Sequence, residues 1–353
     1  MPKKKTILVA PLYWGLGHAT RCIPIINALL ENNYNVIIAS DGEALDLLRK
    51  EFPTLETIEL PSYNINYPKN GNKLIWSLLA AVPSLKRIVS KEKLIVQKLI
   101  AKGKIDGIIS DNRFGVRSKK VPSVYMTHQV NIITGRASLF SKKLHYKIIN
   151  KFNACWVPDI KDENNLSGRL GHPKNTDLNL KYTGVLSRMK KKEIPIKYDV
   201  FVLISGPEMQ RTLFEELLLK EFTNTKFKVV LIRGVVEKEQ KIVQQENIKI
   251  YNFMTTQEIE KTINESKLIV ARSGYTTIMD LAILQKKAFF IPTPGQPEQF
   301  YLATRMKELN MVPFCKQKDF TINKLEEIDN YSGLFLNNNK NNFSELFSLF
   351  EGK

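Results

Sequence analysis

Short runs rich in β-branched and other apolar residues alternate with amphipathic helical stretches along this chain, and the alternation starts a second time about half-way. Strands are predicted at 7–10, 36–39, 55–60, 107–110, 123–127 and 155–157, with helices over 20–32, 43–51 and roughly 73–102. Strands separated by helices imply βαβ units and a mainly parallel sheet. The second series places strands at 200–204, 229–232, 248–251, 268–271 and 289–291, separated by helices at about 208–221, 256–265, 274–285 and 297–309. The predicted class is therefore α/β, with two doubly wound, Rossmann-like domains facing a cleft. Residues 1–186 form the first and 198–335 the second. Residues 187–197, polar, basic and proline-containing, read as a linker, and 336–353 as a C-terminal loop and helix. A length of 353 residues suits two domains.

Charge is unevenly placed along this plan. The chain has 53 Lys and Arg against 35 Asp and Glu, a net charge of +18, and residues 1–185 hold 28 of the basic and 14 of the acidic residues. The first half thus suits an anionic partner: a membrane surface, nucleic acid or an acidic substrate. No zinc pattern, RNA-recognition signature or basic heptad helix accompanies the charge, which argues against nucleic acid. Cys22, Cys155 and Cys315 lie far apart without metal-ligand spacing, so reduced thiols are expected. Met1-Pro2-Lys3-Lys4-Lys5 imitates a signal peptide start, but the apolar run behind it is too short, and no 18-residue apolar stretch exists. A cytoplasmic location is expected.

Open α/β sheets bind ligands at the carboxyl ends of their strands. The first strand runs into Pro11-Leu12-Tyr13-Trp14-Gly15-Leu16-Gly17-His18. Gly15 and Gly17 let the backbone turn tightly and approach a ligand. His18 then stands at the mouth of the next helix, where an imidazole can take a proton near neutral pH and free N–H groups suit an anion. The same pattern fits a glycine loop whose His merely caps a helix. Asp111, after the strand at 107–110, can hold His18 in one tautomer; capping a turn or pairing with Arg113 is an equal alternative. His128 follows the strand at 123–127, as a ligand or base or, more simply, as a hydrogen-bonded structural residue. His145 and His172 are expected at the surface.

In the second half, Ser205 and Gly206 follow a strand and open a helix, a weak phosphate signal alone. Arg272-Ser273-Gly274-Tyr275 has the parts of an anion cradle: a strand leads in, a glycine permits close approach, and hydroxyls and N–H groups open the next helix. Asp280 lies nearly two turns along that helix, where a carboxylate can bind vicinal ribose hydroxyls. Glu298 and Gln299, after a proline-stiffened loop, offer acceptors and donors to sugar hydroxyls.

Phe253-Met254-Thr255, Arg272-Ser273-Gly274, Asp280 and Glu298-Gln299, in this order between about 251 and 303, resemble the family 28 (MurG-like) UDP-sugar transferases of the GT-B class. The resemblance implies a GT-B fold with inversion at the anomeric centre. It implies that Phe253 and Met254 read uracil largely through backbone groups, and that Ser205, Gly206, Ser273, Gly274 and Tyr275 cradle the diphosphate. Asp280 stands in place of the usual Glu on the ribose, and Glu298 and Gln299 hold the donor sugar. Gly15-Leu16-Gly17-His18 resembles the family's glycine-rich loop. Its continuation Ala19-Thr20-Arg21-Cys22 also resembles the PseG-type UDP-sugar hydrolase, which has the same fold and transfers the sugar to water.

The resulting expectation is a transferase moving a hexose or N-acetylhexosamine from a UDP-sugar donor to a hydroxyl acceptor. His18 would be general base, Asp111 its orienter, and Arg272 an aid to the leaving group if its side chain turns inward. A UDP-sugar hydrolase and a non-catalytic nucleotide-sugar-binding protein are the alternatives. No Asp-x-Asp motif is present, so no metal or other cofactor is required. The apolar segment 74–83, flanked by Lys73, Lys86, Arg87, Lys91 and Lys93, has the make-up of an interfacial helix. It suits peripheral contact with an anionic membrane on its inner face and a lipid-linked, cell-envelope acceptor. A core or interdomain helix is the alternative.

Overall fold

A computed structural model describes residues 4–63, 74–132, 138–235, 237–336 and 341–352; the side chains of 74–82 and 138–141 also lie outside the description. The chain divides into two compact units, Met1–Leu186 with Lys340–Lys353, and Ser187–Asn339.

In the first unit the elements run β1 (Thr6–Pro11), α1 (Gly17–Glu31), β2 (Asn35–Ser40), α2 (Gly42–Glu51), β3 (Glu56–Glu59), α3 (Leu74–Ala101), β4 (Gly107–Asp111), β5 (Ser123–Met126), α4 (Ser138–Ile149), β6 (Ala154–Val157) and β7 (Leu180–Tyr182). The seven strands are all parallel, in the order β3-β2-β1-β4-β5-β6-β7. Strands buried on both faces read as near-continuous apolar runs, as β1 and β4 do. On one face, Leu8, Ala10, Ile37, Ala39 and Ile108 pack against Val96 and Leu99 of α3. Tyr125, Cys155 and Val157 pack against Ile149 at the end of α4 and Phe152.

The C-terminal turn of helix, Phe343–Phe347, and the 3-10 turn Ser348–Glu351 belong to this first unit. Phe347 and Phe350 are buried against the rings of Tyr34 and Trp156. Tyr34 donates to Glu351 at 2.6 Å, and Lys5 to the Phe350 carbonyl at 2.7 Å. Gly107 is required beneath them, since a Cβ there would lie 2.5 Å from the Phe350 ring.

The second unit runs β8 (Tyr198–Leu203), α5 (Glu208–Phe222), β9 (Val229–Ile232), β10 (Ile242–Gln245), β11 (Ile248–Tyr251), α6 (Thr256–Asn264), β12 (Ser266–Ala271), α7 (Tyr275–Leu284), β13 (Lys287–Phe290) and α8 (Pro297–Glu308). Its six strands lie in the order β10-β11-β9-β8-β12-β13, parallel except for the β10–β11 pair. Phe214, Leu218 and Phe222 of α5 pack on Val200, Val202, Val229 and Leu231. Residues 187–197, read from sequence as a linker, are laid along this unit. Ser187 bonds to Asp280, the Lys190 N–H to Glu260, the Lys192 N–H to Asn264 and the Lys197 N–H to the Glu265 carbonyl.

Of the strands and helices labelled above, three escape the sequence reading. β7 has only three residues, β10 is wholly exposed, and α4 is half lysine and aromatic on its described stretch. Helix α1 also begins three residues earlier than predicted, at Gly17.

All three tryptophans, Trp14, Trp76 and Trp156, fall in the first unit. Replacing Phe350 with Ala removes a buried ring next to Trp156, at an expected cost of about 3–5 kcal/mol. Urea unfolding followed by tryptophan fluorescence will show a lowered midpoint; an unchanged one would deny the C-terminal turn a place in this core.

Candidate active site

Strand order in the first sheet reverses between β1 and β4: the chain leaves β1 toward β2 on one side and continues from β4 to β5 on the other. Such switch points open a crevice at the strands' carboxyl ends. Pro11 is in register with Asp111, and the Leu12 N–H bonds the Asp111 carbonyl at 2.9 Å. The loop after β1 and the last residue of β4 therefore emerge side by side. Gly15 turns the loop with φ +72°, a left-handed conformation that favours glycine. Because α1 begins at Gly17, His18 sits in its first turn, and Arg21 and Cys22 follow three and four residues later on the same face.

All three side chains converge on Asp111. His18 Nδ1 lies 2.9 Å from Asp111 Oδ1. Arg21 grips the carboxylate with two donors, Nε to Oδ2 at 2.6 Å and a terminal nitrogen to Oδ1. Another terminal nitrogen of Arg21 reaches His128 Nδ1 at 2.9 Å, and Cys22 Sγ is 3.7 Å from Asp111 Oδ2. Asp111 and Arg21 are buried, whereas the His18 side chain keeps 13% of its surface exposed. Burial alone would raise the Asp111 pKa, but Arg21, His18 and their hydrogen bonds hold it well below the usual carboxylate range. For His18, burial lowers the pKa and Asp111 opposes that, while Arg21 and His128 lower it further.

Asp111 is thus paired with Arg21 and not with its near neighbour Arg113. Arg113 is taken by Asp41 and by Glu92 at 2.9 Å, and its Nε donates to the Pro11 carbonyl at 2.9 Å, fixing the base of the loop that carries His18. His145 is not a surface residue, and His172 is only partly exposed, its side chain at 18%. His145 is buried edge-on to Tyr125, which pushes its pKa down to about 4. His172 stacks on Tyr182 and its Nε2 lies 3.0 Å from the Ile160 carbonyl.

The second sheet reverses between β8 and β12, with Leu203 in register with Ala271. Ser205 and Gly206 leave β8; Ser273 and Gly274 leave β12; residues 291–299 leave β13. The loop after β12 and the residues after β13 are tied together. Ser273 Oγ donates to the Gln299 carbonyl at 2.7 Å, and the Thr293 N–H to Gln299 Oε1 at 2.8 Å. Gly206 has φ +108°, and a Cβ on it would come 3.9 Å from Thr293 Oγ1. Gly274 caps α7, and a Cβ there would meet only Thr277 Oγ1, also at 3.9 Å. There is thus room beside the Gly274 backbone at the mouth of α7.

Two predicted ligand groups are differently disposed. The Arg272 side chain is wholly buried over the Phe214 ring and donates to the carbonyls of Ile291 and Gln210 and to Gln317 Oε1. It anchors the strand ends from within, and burial brings its pKa down to about 9. Tyr275 is likewise buried, so its contribution to an anion site is confined to its backbone at the helix start. Phe253 already uses both backbone groups, its N–H on Asn252 Oδ1 and its carbonyl accepting from Gln240, each at 2.9 Å. Met254 follows it, just before the Thr255–Glu258 capping box of α6. Glu298 lies in the first turn of α8 behind Pro297.

Asp280, on α7, accepts from Ser187 Oγ at 2.6 Å. Burial raises its pKa to about 6, against the opposing pull of Arg188 and the Ser187 bond. Arg21 and Ser187 are the site residues that the sequence reading assigned no role. For Arg21 the signal was available, a basic residue one helical turn after His18, but starting the helix at Thr20 hid it.

Residues 206–343 match the model of the glycosyltransferase family 28 C-terminal domain. An uncharacterized glycosyltransferase of Methanosarcina acetivorans is 24% identical over 307 residues, 81% of this chain and 79% of that protein. The UDP-N-acetylglucosamine–N-acetylmuramyl-(pentapeptide) pyrophosphoryl-undecaprenol N-acetylglucosamine transferase of Haemophilus ducreyi is 20% identical over 221 residues, 61% of this chain and 59% of that one. Among solved structures, the glycotransferase of kitacinnamycin superposes with a TM-score of 0.65 at 14% identity, covering 100% of this chain and 94% of that chain.

The raised pKa of Asp280 has a stability consequence. The folded protein binds its proton more tightly than the unfolded chain, so stability falls as pH rises from the ordinary value of 3.8 through about 6. Asp280→Asn should flatten this part of the stability profile, measured by chemical denaturation at pH 4.5 and 7; an identical slope in the variant would overturn the assignment.

Proposed function

We propose that the chain is a family 28-like glycosyltransferase built on the GT-B fold, and that it transfers a hexose or N-acetylhexosamine from a UDP-sugar to a hydroxyl acceptor by inverting, direct displacement. The observation that carries this reading is the His18–Asp111 contact of 2.9 Å at the first unit's switch point. With Nδ1–H donated to Asp111, the Nε2 lone pair of His18 is available to a proton. As the acceptor oxygen bonds to the anomeric carbon, its proton passes to Nε2, and the bond from that carbon to the diphosphate oxygen breaks.

In this reading the second unit holds the donor. The N–H groups at the start of α7, with Ser205, Gly206, Ser273 and Gly274, receive the diphosphate, and the helix N-terminus favours the charge that develops on departing UDP. Arg272 adds a buried positive charge beneath the loops. Phe253 and Met254 border the base, Asp280 binds the ribose in exchange for Ser187, and Glu298 and Gln299 meet the sugar. The leaving group is met by backbone dipoles, and the reaction as proposed uses no metal. The Haemophilus relative's donor, a UDP-N-acetylhexosamine, and its lipid-linked acceptor support the same classes here.

We assign the basic first half to a lipid-linked acceptor at an anionic surface, with the protein peripheral on the inner face of the membrane. Lys86, Arg87 and Lys91 are exposed on α3, and Leu94 is 57% exposed beside them. Each basic residue near such a surface adds about 1 kcal/mol. The apolar segment before them has its side chains, and Lys73 entirely, outside the described residues. Among the described residues no helix is long and apolar enough to cross a membrane.

A panel of nucleotide sugars tested for thermal stabilisation identifies the donor. Acceptor-dependent UDP release then supports transfer; release of free sugar with water alone would favour the hydrolase, and binding without turnover a sensor. His18→Ala should lower turnover by roughly 100-fold or more, the usual worth of an acid–base group; unchanged turnover would remove His18 from the mechanism. UDP-sugar affinity by calorimetry should rise with pH through about 6 as Asp280 ionises, and Asp280→Asn should abolish that rise. An equal pH dependence in the variant would take the ribose away from Asp280.

A further inference from the structure

Arg21 lies at the centre of the first cluster, and its chemistry constrains every proton around it. A guanidinium has five N–H donors and no acceptor. His128 Nδ1, 2.9 Å from Arg21, must therefore receive a hydrogen bond, so the neutral His128 ring carries its proton on Nε2. His18 Nδ1 has two neighbours at nearly equal distance, Asp111 Oδ1 at 2.9 Å and an Arg21 terminal nitrogen at 2.8 Å. With the proton on Nδ1, the ring donates to Asp111. With the proton on Nε2, Nδ1 accepts from Arg21. Each neutral tautomer has a partner in place, whereas the doubly protonated ring sets a full positive charge beside the guanidinium, whose nitrogen lies 2.8 Å from the ring.

We propose that Arg21 is a positioning residue that holds His18 as a neutral imidazole and fixes which ring nitrogen of His128 carries a proton. The inference rests on reading His18 as the general base, for which the neutral ring with its proton on Nδ1, donated to Asp111, is the working form. The charged and titratable groups of the cluster come from each side: Arg21, which meets His18, and Cys22, which meets Asp111, from α1; Asp111, which meets His18, from the end of β4; and His128, which meets Arg21, from the loop after β5. Asp111 favours the imidazolium, and Arg21 and His128 disfavour it. Arg21 also opposes the imidazolium formed when the acceptor proton arrives on Nε2, and so favours release of that proton to water after each transfer.

The test is a pH titration of ring resonances in protein labelled with isotope-enriched histidine, wild type against Arg21→Met. His18 in the variant should titrate about one pH unit or more higher, a tenfold or larger gain in proton affinity, and the acid limb of kcat/KM should move up with it. His128 should lose its single-tautomer nitrogen signature. Removing one member of a buried pair can unfold the protein, and removing both together is better tolerated. Asp111→Asn is therefore compared with Asp111→Asn/Arg21→Met, where His18 should titrate higher in the double variant. Equal His18 midpoints in either comparison overturn the proposal. The titration needs no substrate, so it fails or succeeds separately from the assignment of transferase activity.

Discussion

Asp111 closes a strand whose five residues are all buried, and it stays ionised there because Arg21 reaches it with two donors. An unpaired carboxylate at this depth would take up a proton. The pair also sets the geometry around it. Arg21 can reach Asp111 because α1 starts at Gly17, and α1 starts there because Gly15 turns the chain through a left-handed conformation. The loop between is held at its root by Arg113, itself neutralised by Asp41 and Glu92. Two buried guanidinium clusters thus stand back to back beneath one short glycine loop. Breaking either by a single substitution leaves an uncompensated buried charge, typically worth 3–5 kcal/mol.

The second unit meets the same topological position with different chemistry. Its switch point presents glycines and helix N–H groups, and its one buried guanidinium there, Arg272, faces inward onto carbonyls. The contrast fits the roles proposed for the two ends. Moving a proton requires a side chain with a titratable lone pair, held in one orientation. Accepting a diphosphate requires several donors close together, which backbone N–H groups supply without side-chain entropy and without a Cβ in the way.

Much of this was legible in the sequence wherever the signal was local. Buried parallel strands announce themselves as apolar runs; Asp111 and Ser273–Gly274 could be placed because they stand at or just past the end of such a run, and His18 and Gln299 because the loop leaving such a run leads to them. Contacts that depend on strand order were not legible. Whether Asp111 pairs with Arg113, two residues away, or with Arg21, ninety residues away, is decided by β1 and β4 lying side by side. The burial of His145 depends on α4, whose lysines mask its apolar face. Ser187 was read as part of a linker because its neighbours are basic, yet its hydroxyl meets a carboxylate on a helix far along the chain.

In the proposed mechanism, the opposed partners of His18 also bear on how a base of this kind gains rate. A carboxylate alone beside the ring would strengthen the base and protonate it before the acceptor arrives. A guanidinium alone would keep it free but too weak to draw a proton. With both within 3 Å of one ring nitrogen, the resting ring is neutral. The proton taken at the far nitrogen then creates a cation whose near N–H already points at Asp111. The carboxylate's attraction is greatest when that charge appears, so its effect falls mainly on the transition state and little on the resting enzyme. Such a division of labour needs all three groups fixed before substrate binds, and burial behind the glycine loop is what fixes them.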